Sequence, residues 1–233
     1  VRSFNVSKAN ATLILSNLTH TYDGNPKSFD ATSDPVGLAI EQSYAGSPDA
    51  PVEAGDYAVT AEIDDPIYQG SAVGTLVIAK APQVIDFSAI SGQLTTATVL
   101  LSATGGATNN PVTFAVTDGP GVINGGNSLS FIGAGAVTIT ASQAGNANYL
   151  AAPDVAQTFA VTKADASVTL SGLTQTYDGN AKPVGATTDP AGLNVTFTYN
   201  GLAAVPTDAG TYAVMGTIAD AIYQGSKEGT LVI

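Results

Sequence analysis

Cysteine is absent from this chain of 233 residues, which removes disulfides, thiolate metal sites and cysteine nucleophiles together. Histidine occurs once, at His20, so no pair of histidines at metal-ligand spacing exists. Charged residues make up only 11%, well under the usual quarter, and solubility must lean on Ser, Thr, Asn and Gly. Positive charge is especially scarce. Seven basic residues stand against 19 acidic ones, for a formal net charge of −12. Such a surface repels phosphate backbones and anionic membranes, which excludes nucleic acid as a partner. No run of 18 apolar residues is present, so no membrane insertion is expected, and no segment shows a helical period. The start carries no secretory signal, but both ends look cut, so that absence excludes nothing.

What the chain does contain is a long internal repeat. Thr21-Tyr22-Asp23-Gly24-Asn25 returns 155 positions later as Thr176-Tyr177-Asp178-Gly179-Asn180. Asp34-Pro35 returns as Asp189-Pro190, Ala54-Gly55 and Tyr57 as Ala209-Gly210 and Tyr212, and Ile67-Tyr68-Gln69-Gly70-Ser71 as Ile222-Tyr223-Gln224-Gly225-Ser226. Gly74-Thr75-Leu76-Val77-Ile78 returns as Gly229-Thr230-Leu231-Val232-Ile233, with no insertion or deletion on the way. Self-similarity at a fixed offset marks a modular array. The 25 glycines and 12 prolines are spread rather than clustered, as in folds of many short strands and tight turns.

Four segments follow in order. Residues 1–8 align with the end of the middle segment, because Ser3-Phe4-Asn5-Val6-Ser7-Lys8 sits 155 positions before Thr158-Phe159-Ala160-Val161-Thr162-Lys163. They read as the last strand of a preceding domain, or a lead-in strand, in an alternating array. Residues 9–79 form the first repeat. Its clearest strand places Tyr57, Val59, Ala61 and Ile63 on one face and Asp56, Thr60 and Glu62 on the other, and the copy keeps Tyr212, Val214 and Ile218 inward. Leu38, Ile40 and Tyr44 share a parity, as do Leu193, Val195, Phe197 and Tyr199. Gln42 stands where Phe197 stands, which predicts a less apolar core there in the first copy. Residues 80–163 form a different β segment, with Val112, Phe114 and Val116 alternating against Thr113 and Ala115. Residues 164–233 are the second repeat. The junctions Lys8-Ala9, Lys80-Ala81 and Lys163-Ala164 follow directly on strand patterns without a Gly/Ser tract, which argues against flexible linkers. The fold class expected is therefore all-β: three tandem small β-sandwich-like domains in an extended rod. Strands of about ten residues rise ~33 Å, so three domains would span on the order of 100 Å.

The Tyr-Asp-Gly motif, with the downstream Ala-Gly-x-Tyr and Ile-Tyr-x-Gly, resembles the bacterial MBG domain, also called the YDG repeat, over nearly all of both outer segments. The middle, through Gly135-Ala136-Val137-Thr138-Ile139-Thr140-Ala141-Ser142-Gln143-Ala144-Gly145-Asn146-Ala147-Asn148-Tyr149, is similar to a bacterial Ig-like repeat. The resemblance implies a large bacterial secreted or cell-surface protein, often adhesin-like, in which such domains serve as stalk or display modules. It brings no catalytic residues, so the chain is expected not to be an enzyme and to need no cofactor. Its partners are expected to be neighbouring domains of the same chain, with a surface glycan or protein as the alternative, and it is expected to be monomeric. A third reading makes it an accessory segment of a larger secreted enzyme.

Individual residues support this bland chemistry. His20 faces Gln175 in the copy, an exchange a catalytic base would not tolerate, so it reads as a strand-surface residue. Asp23 and Asp178 are expected to build their turns by accepting backbone N–H bonds, with a role as ligands or acids as the alternative, and Asp-Gly supplies the positive φ of a tight turn. Tyr22 and Tyr177 are expected to pack, with an exposed recognition surface as the alternative. The best calcium candidates, Glu62, Asp64 and Asp65, become Thr217, Ala219 and Asp220 in the copy, which favours a solvated acidic face over a metal site. Lys27 and Lys182 are the recurring lysines that an isopeptide cross-link could use, and surface solubility explains them equally well. No catalytic, cofactor-binding or metal residue is assigned, and no ligand-binding residue is named.

Overall fold

A computed structural model describes residues 6–233. Residues 1–5, which carry most of the expected lead-in strand, lie outside the described residues, and Val6–Lys8 have no regular secondary structure. The described residues contain strands, bridges and turns but no helix, so the protein is all-β. The packing resolves into two compact units. One comprises the described residues up to Ile85 with Gly105–Val112 and Gln143–Pro153; the other comprises Asp86–Thr104, Thr113–Ser142 and Asp154–Ile233.

In the first unit, the first repeat makes two sheets that close on its core, besides the short parallel pair Ala9–Asn10 with Tyr68–Gln69. Thr12–Ser16 pairs antiparallel with Asp30–Asp34. The second sheet runs in the order Thr19–Thr21, Ser71–Ala79, Gly55–Ile63, Ile40–Tyr44. The inward parity of Gly55–Ile63 agrees with the sequence expectation: Val59, Ala61 and Ile63 are buried while Asp56 and Glu62 face out. The two sheets close on Phe29, Tyr44, Val59, Ala61 and Leu76.

The Asp23-Gly24 turn departs from a simple hairpin. Gly24 does take positive φ, at 82°, but the strands flanking it, Thr19–Thr21 and Asp30–Asp34, belong to different sheets. The turn carries the chain across the sandwich rather than back along one sheet. An earlier sheet switch occurs at Asn17, also at positive φ (58°), and Gly172 occupies that position in the copy at 71°.

The second unit holds the strands of the middle segment and the whole second repeat. The middle segment has a four-stranded sheet, Thr113–Asp118, Gly135–Ser142, Val155–Thr162 and Gln93–Leu94, and a three-stranded one, Val99–Leu100, Ser128–Phe131 and Gly121–Asn124. Val137, Ile139 and Ala141, alternate residues of one strand, are fully buried between them, with Leu129. The second repeat copies the first. Ser167–Ser171 pairs with Gly185–Asp189, Val195–Tyr199, Thr211–Ile218 and Ser226–Val232 form a three-stranded sheet, and Ala164–Asp165 pairs in parallel with Tyr223–Gln224. Its core is Val184, Tyr199, Val214 and Leu231, the counterparts of Phe29, Tyr44, Val59 and Leu76. Asp34-Pro35 and Asp189-Pro190 are both cis.

The copies fill their cores differently at one point. Gln42 lies opposite Ala61, whereas Phe197 lies opposite Gly216. Where the side chain gains a ring, its cross-strand partner loses a methyl group, so the packed volume changes less than the single exchange suggests. Gln42 in turn accepts a hydrogen bond at its amide oxygen from Tyr44 Oη at 3.3 Å, which gives that oxygen a partner.

Candidate functional site

The single histidine is a structural clamp. His20 Nε2 lies 2.9 Å from both the Asn17 and Ser28 carbonyl oxygens, so the nitrogen carries the proton and donates to them. In the copy, Gln175 Nε2 donates to the Gly172 and Pro183 carbonyls at 2.9 and 3.0 Å. All four acceptors are equivalent positions. An imidazole and an amide thus do one job, tying the sheet-switch residue to the approach of the next strand. His20→Gln should therefore shift stability by less than about 0.5 kcal/mol. His20→Ala, which strands two carbonyls, should cost roughly 1–2 kcal/mol in denaturant unfolding.

Asp23 and Asp178 build their turns as expected. Asp23 Oδ1 accepts the Asn25 N–H and Asp178 Oδ1 the Asn180 N–H, both at 2.9 Å. Each also pairs with a lysine, Lys27 at 2.5 Å and Lys182 at 2.6 Å. The lysine ammonium, then the backbone N–H, holds each aspartate carboxyl below the usual carboxylate range. The lysines are not solubilising surface groups, for their side chains are only 14% and 10% exposed. The acid beside each amine is four residues away in the same turn, so an amide bond between them would tie only that turn.

The acidic cluster disperses into similar work. Asp65 Oδ1 accepts from the Ile67 and Tyr68 N–H groups at 2.7 and 2.9 Å, and Asp220 Oδ1 from Ile222 and Tyr223 at 2.7 and 3.0 Å. Those backbone donors lower the Asp220 pKa. Glu62 and Asp64 are exposed. Among the described residues no three acids or histidines converge on a point that could hold a metal ion.

The two motif tyrosines part company. Tyr22 meets Tyr149 edge to face, with ring centroids 5.4 Å apart. Tyr177 is 57% exposed, the sole exposed aromatic among the described residues, so no aromatic platform is assembled. A depression of about 600 Å³ lies on the outer face of Thr211–Ile218 and Ser226–Val232, where Glu228 is its single ionisable group.

Tyr149 belongs to a loop that sequence reasoning used only as a family marker. Asn146 Oδ1 caps its turn by accepting the Asn148 and Tyr149 N–H groups at 2.8 and 2.9 Å. Asn148 then spans to the first repeat: its Oδ1 accepts the Ala54 N–H at 3.0 Å and its Nδ2 donates to the Glu53 carboxylate. Lys80 Nζ donates to the Asn146 carbonyl at 2.7 Å, and Ala81 exchanges backbone bonds with Asn148 and Leu150. Two buried glutamines hold this loop from behind. Gln83 Nε2 donates to the Ala144 and Leu150 carbonyls, while Gln143 accepts the Gly106 N–H and donates to the Asn110 carbonyl. Buried and fully bonded amides fix a loop more strictly than apolar packing does. The available signal was the polar Gln83 and Gln143 at inward parities.

The other junction, within the second unit, uses different groups. Thr95, buried, donates through Oγ1 to the Ile222 carbonyl at 2.5 Å and accepts the Ala164 N–H at 3.1 Å. Lys163 Nζ donates to the Asp220 carbonyl. Both connecting strands are thus flanked by residues that bond directly across to the neighbouring repeat.

Comparison with known proteins gives one family. A family model described as MBG domain matches residues 11–82 and again residues 166–233, more than half of the chain. No curated protein matches. Among solved structures, mouse cadherin-23 EC22–24 is similar at 13% identity, over 95% of this chain and 97% of that one, with a TM-score of 0.32. Mouse protocadherin-24 EC1–3 is similar at 12% identity over 99% and 98%, with a TM-score of 0.30. The Bacteroides ovatus SGBP-B of a mixed-linkage glucan utilization locus, solved with a mixed-linkage heptasaccharide, is similar at 14% identity over 97% and 70%, with a TM-score of 0.26.

Proposed function

Because this chain belongs to the MBG domain family through both of its repeated segments, we propose that it is a non-catalytic, force-resisting spacer of an extracellular or surface-attached bacterial protein. In this reading three modules follow one another, residues 9–79, 80–163 and 164–233, the middle one Ig-like, and neighbouring modules are their own principal partners.

The observation that carries the reading is the pairing of early and late strands. In the first repeat Thr19–Thr21 runs parallel to the end of Ser71–Ala79, with Thr19 opposite Val77. In the middle segment Gln93–Leu94 runs parallel to Val161–Thr162, and in the second repeat Thr174 bridges in parallel to Val232. Ahead of these, Ala9–Asn10 and Ala164–Asp165 run parallel to Tyr68–Gln69 and Tyr223–Gln224. Two parallel neighbours pulled from opposite chain ends slide along each other. Their hydrogen bonds are loaded together instead of opening one by one, as a hairpin's would. Enzymatic readings lack any such support, because His20, Asp23, Asp178, Asp65 and Asp220 are each engaged in a turn or clamp.

Single-molecule pulling on the two ends tests the proposal. Discrete ruptures are expected, each releasing a module of about 70 to 85 residues, or roughly 230–300 Å of extended chain. Smooth extension at low force without ruptures would overturn the spacer's mechanical role.

A further inference from the structure

We propose that the C-terminal end of the second repeat is a preformed docking face for an Asn-x-Asn-Tyr loop, of the kind at Asn146–Tyr149, carried by another copy of the middle segment. The first repeat shows such a face in use. Tyr22 covers Tyr149, the Ala54 N–H and the Glu53 carboxylate grip the Asn148 amide, and Ala50, Val52 and Ala54 are half-buried. The equivalent residues of the second repeat are Tyr177, Asp208, Ala209, Val205 and Thr207, and all are exposed.

The exposed face keeps the chemistry of the covered one. It presents an aromatic ring, a carboxylate and the N–H of an alanine that precedes a glycine, at matched positions. Its backbone is already in place. Tyr57 Oη donates to the Glu53 carbonyl at 2.9 Å, and Tyr212 Oη donates to the Asp208 carbonyl at 3.0 Å. The Lys27 N–H bonds the Pro51 carbonyl at 2.8 Å, and the Lys182 N–H bonds the Pro206 carbonyl at 2.9 Å. A face held in the bound geometry before its ligand arrives loses little entropy on docking. The chain's own Asn146–Tyr149 loop is engaged by the first repeat, so the occupant must come from a second copy of that segment. The face concerns side-by-side recognition of modules and does not depend on how strongly any module resists force.

The test is to extend the full chain beyond Ile233 with a second copy of residues 79–163 and to follow amide hydrogen exchange. The Ala209 N–H should exchange at least about tenfold more slowly in the extended chain. That protection should vanish with Asn148→Ala made only in the added copy. Unchanged exchange at Ala209, with slow amides in the added strands proving them folded, would overturn the proposal. If the added copy does not fold, the full chain is titrated with a cyclised peptide of residues 144–150 and watched by NMR. Shifts centred on Tyr177, Asp208 and Ala209 support the docking face. No shift at millimolar peptide, or shifts from soluble glycans in place of the peptide, count against it.

Discussion

Leu231→Ala is expected to cost the second repeat ~2–5 kcal/mol, the largest single effect a substitution here should have. Leu231 is wholly excluded from solvent and packs with Val184, Tyr199 and Val214. Truncation leaves a cavity in a core built from few large residues. A module of about 70 residues has only ~4–10 kcal/mol of stability in total, so the variant repeat should be largely unfolded under mild denaturant. The first repeat closes on its own cluster around Leu76. Hydrogen exchange should therefore show lost protection in strands Val195–Tyr199 and Thr211–Ile218, with Gly55–Ile63 and Ser71–Ala79 unaffected. Equal loss in both repeats would mean that the two cores are coupled.

Gly70→Ala should be the next most damaging change, at roughly 1–3 kcal/mol. The glycine of the Tyr-Gln-Gly motif does not need unusual φ. It needs room: a Cβ there would lie 2.3 Å from the Ala11 carbonyl oxygen, and one at Gly225 would lie 2.1 Å from that of Ala166. Neither atom is the tip of a movable side chain, so the strand Ala9–Asn10 must lift off Tyr68–Gln69 to make space. Gly24 is the useful contrast. Nothing lies within 4 Å of its Cβ position, and its requirement is a φ of 82°. Gly24→Ala should cost about 1–2 kcal/mol through backbone strain alone. Amide hydrogen exchange distinguishes the two causes, because Gly70→Ala should expose the Ala11 and Gln69 amides while Gly24→Ala leaves them protected.

These expectations rest on features that differ in how openly the sequence displayed them. Alternation in Tyr57, Val59, Ala61 and Ile63 predicted an inward face correctly, because a strand's side-chain period depends on local geometry alone. The repeat predicted a shared fold for the outer segments for the same reason. The route of the chain at Asp23-Gly24 was hidden: a positive φ is written in the dipeptide, but whether the next strand joins the same sheet is decided by distant packing. The loop at Asn148 was hidden too. Its partners at Glu53 and Ala54 lie about 95 positions away, and no local pattern announces a bond at that range. The pairing of Gln42 with Ala61 and of Phe197 with Gly216 became visible only once strand register was known, although all four residues sat in plain view.

Burial of Lys27 and Lys182 has a consequence for resistance to digestion. Enzymes that digest proteins after basic residues must draw an extended stretch of substrate, lysine included, into their clefts. The two lysines that the repeats share are held inward by their aspartates. Between Lys80 and Lys163 no lysine or arginine occurs at all. A folded chain built this way offers trypsin-like proteases very few places to begin.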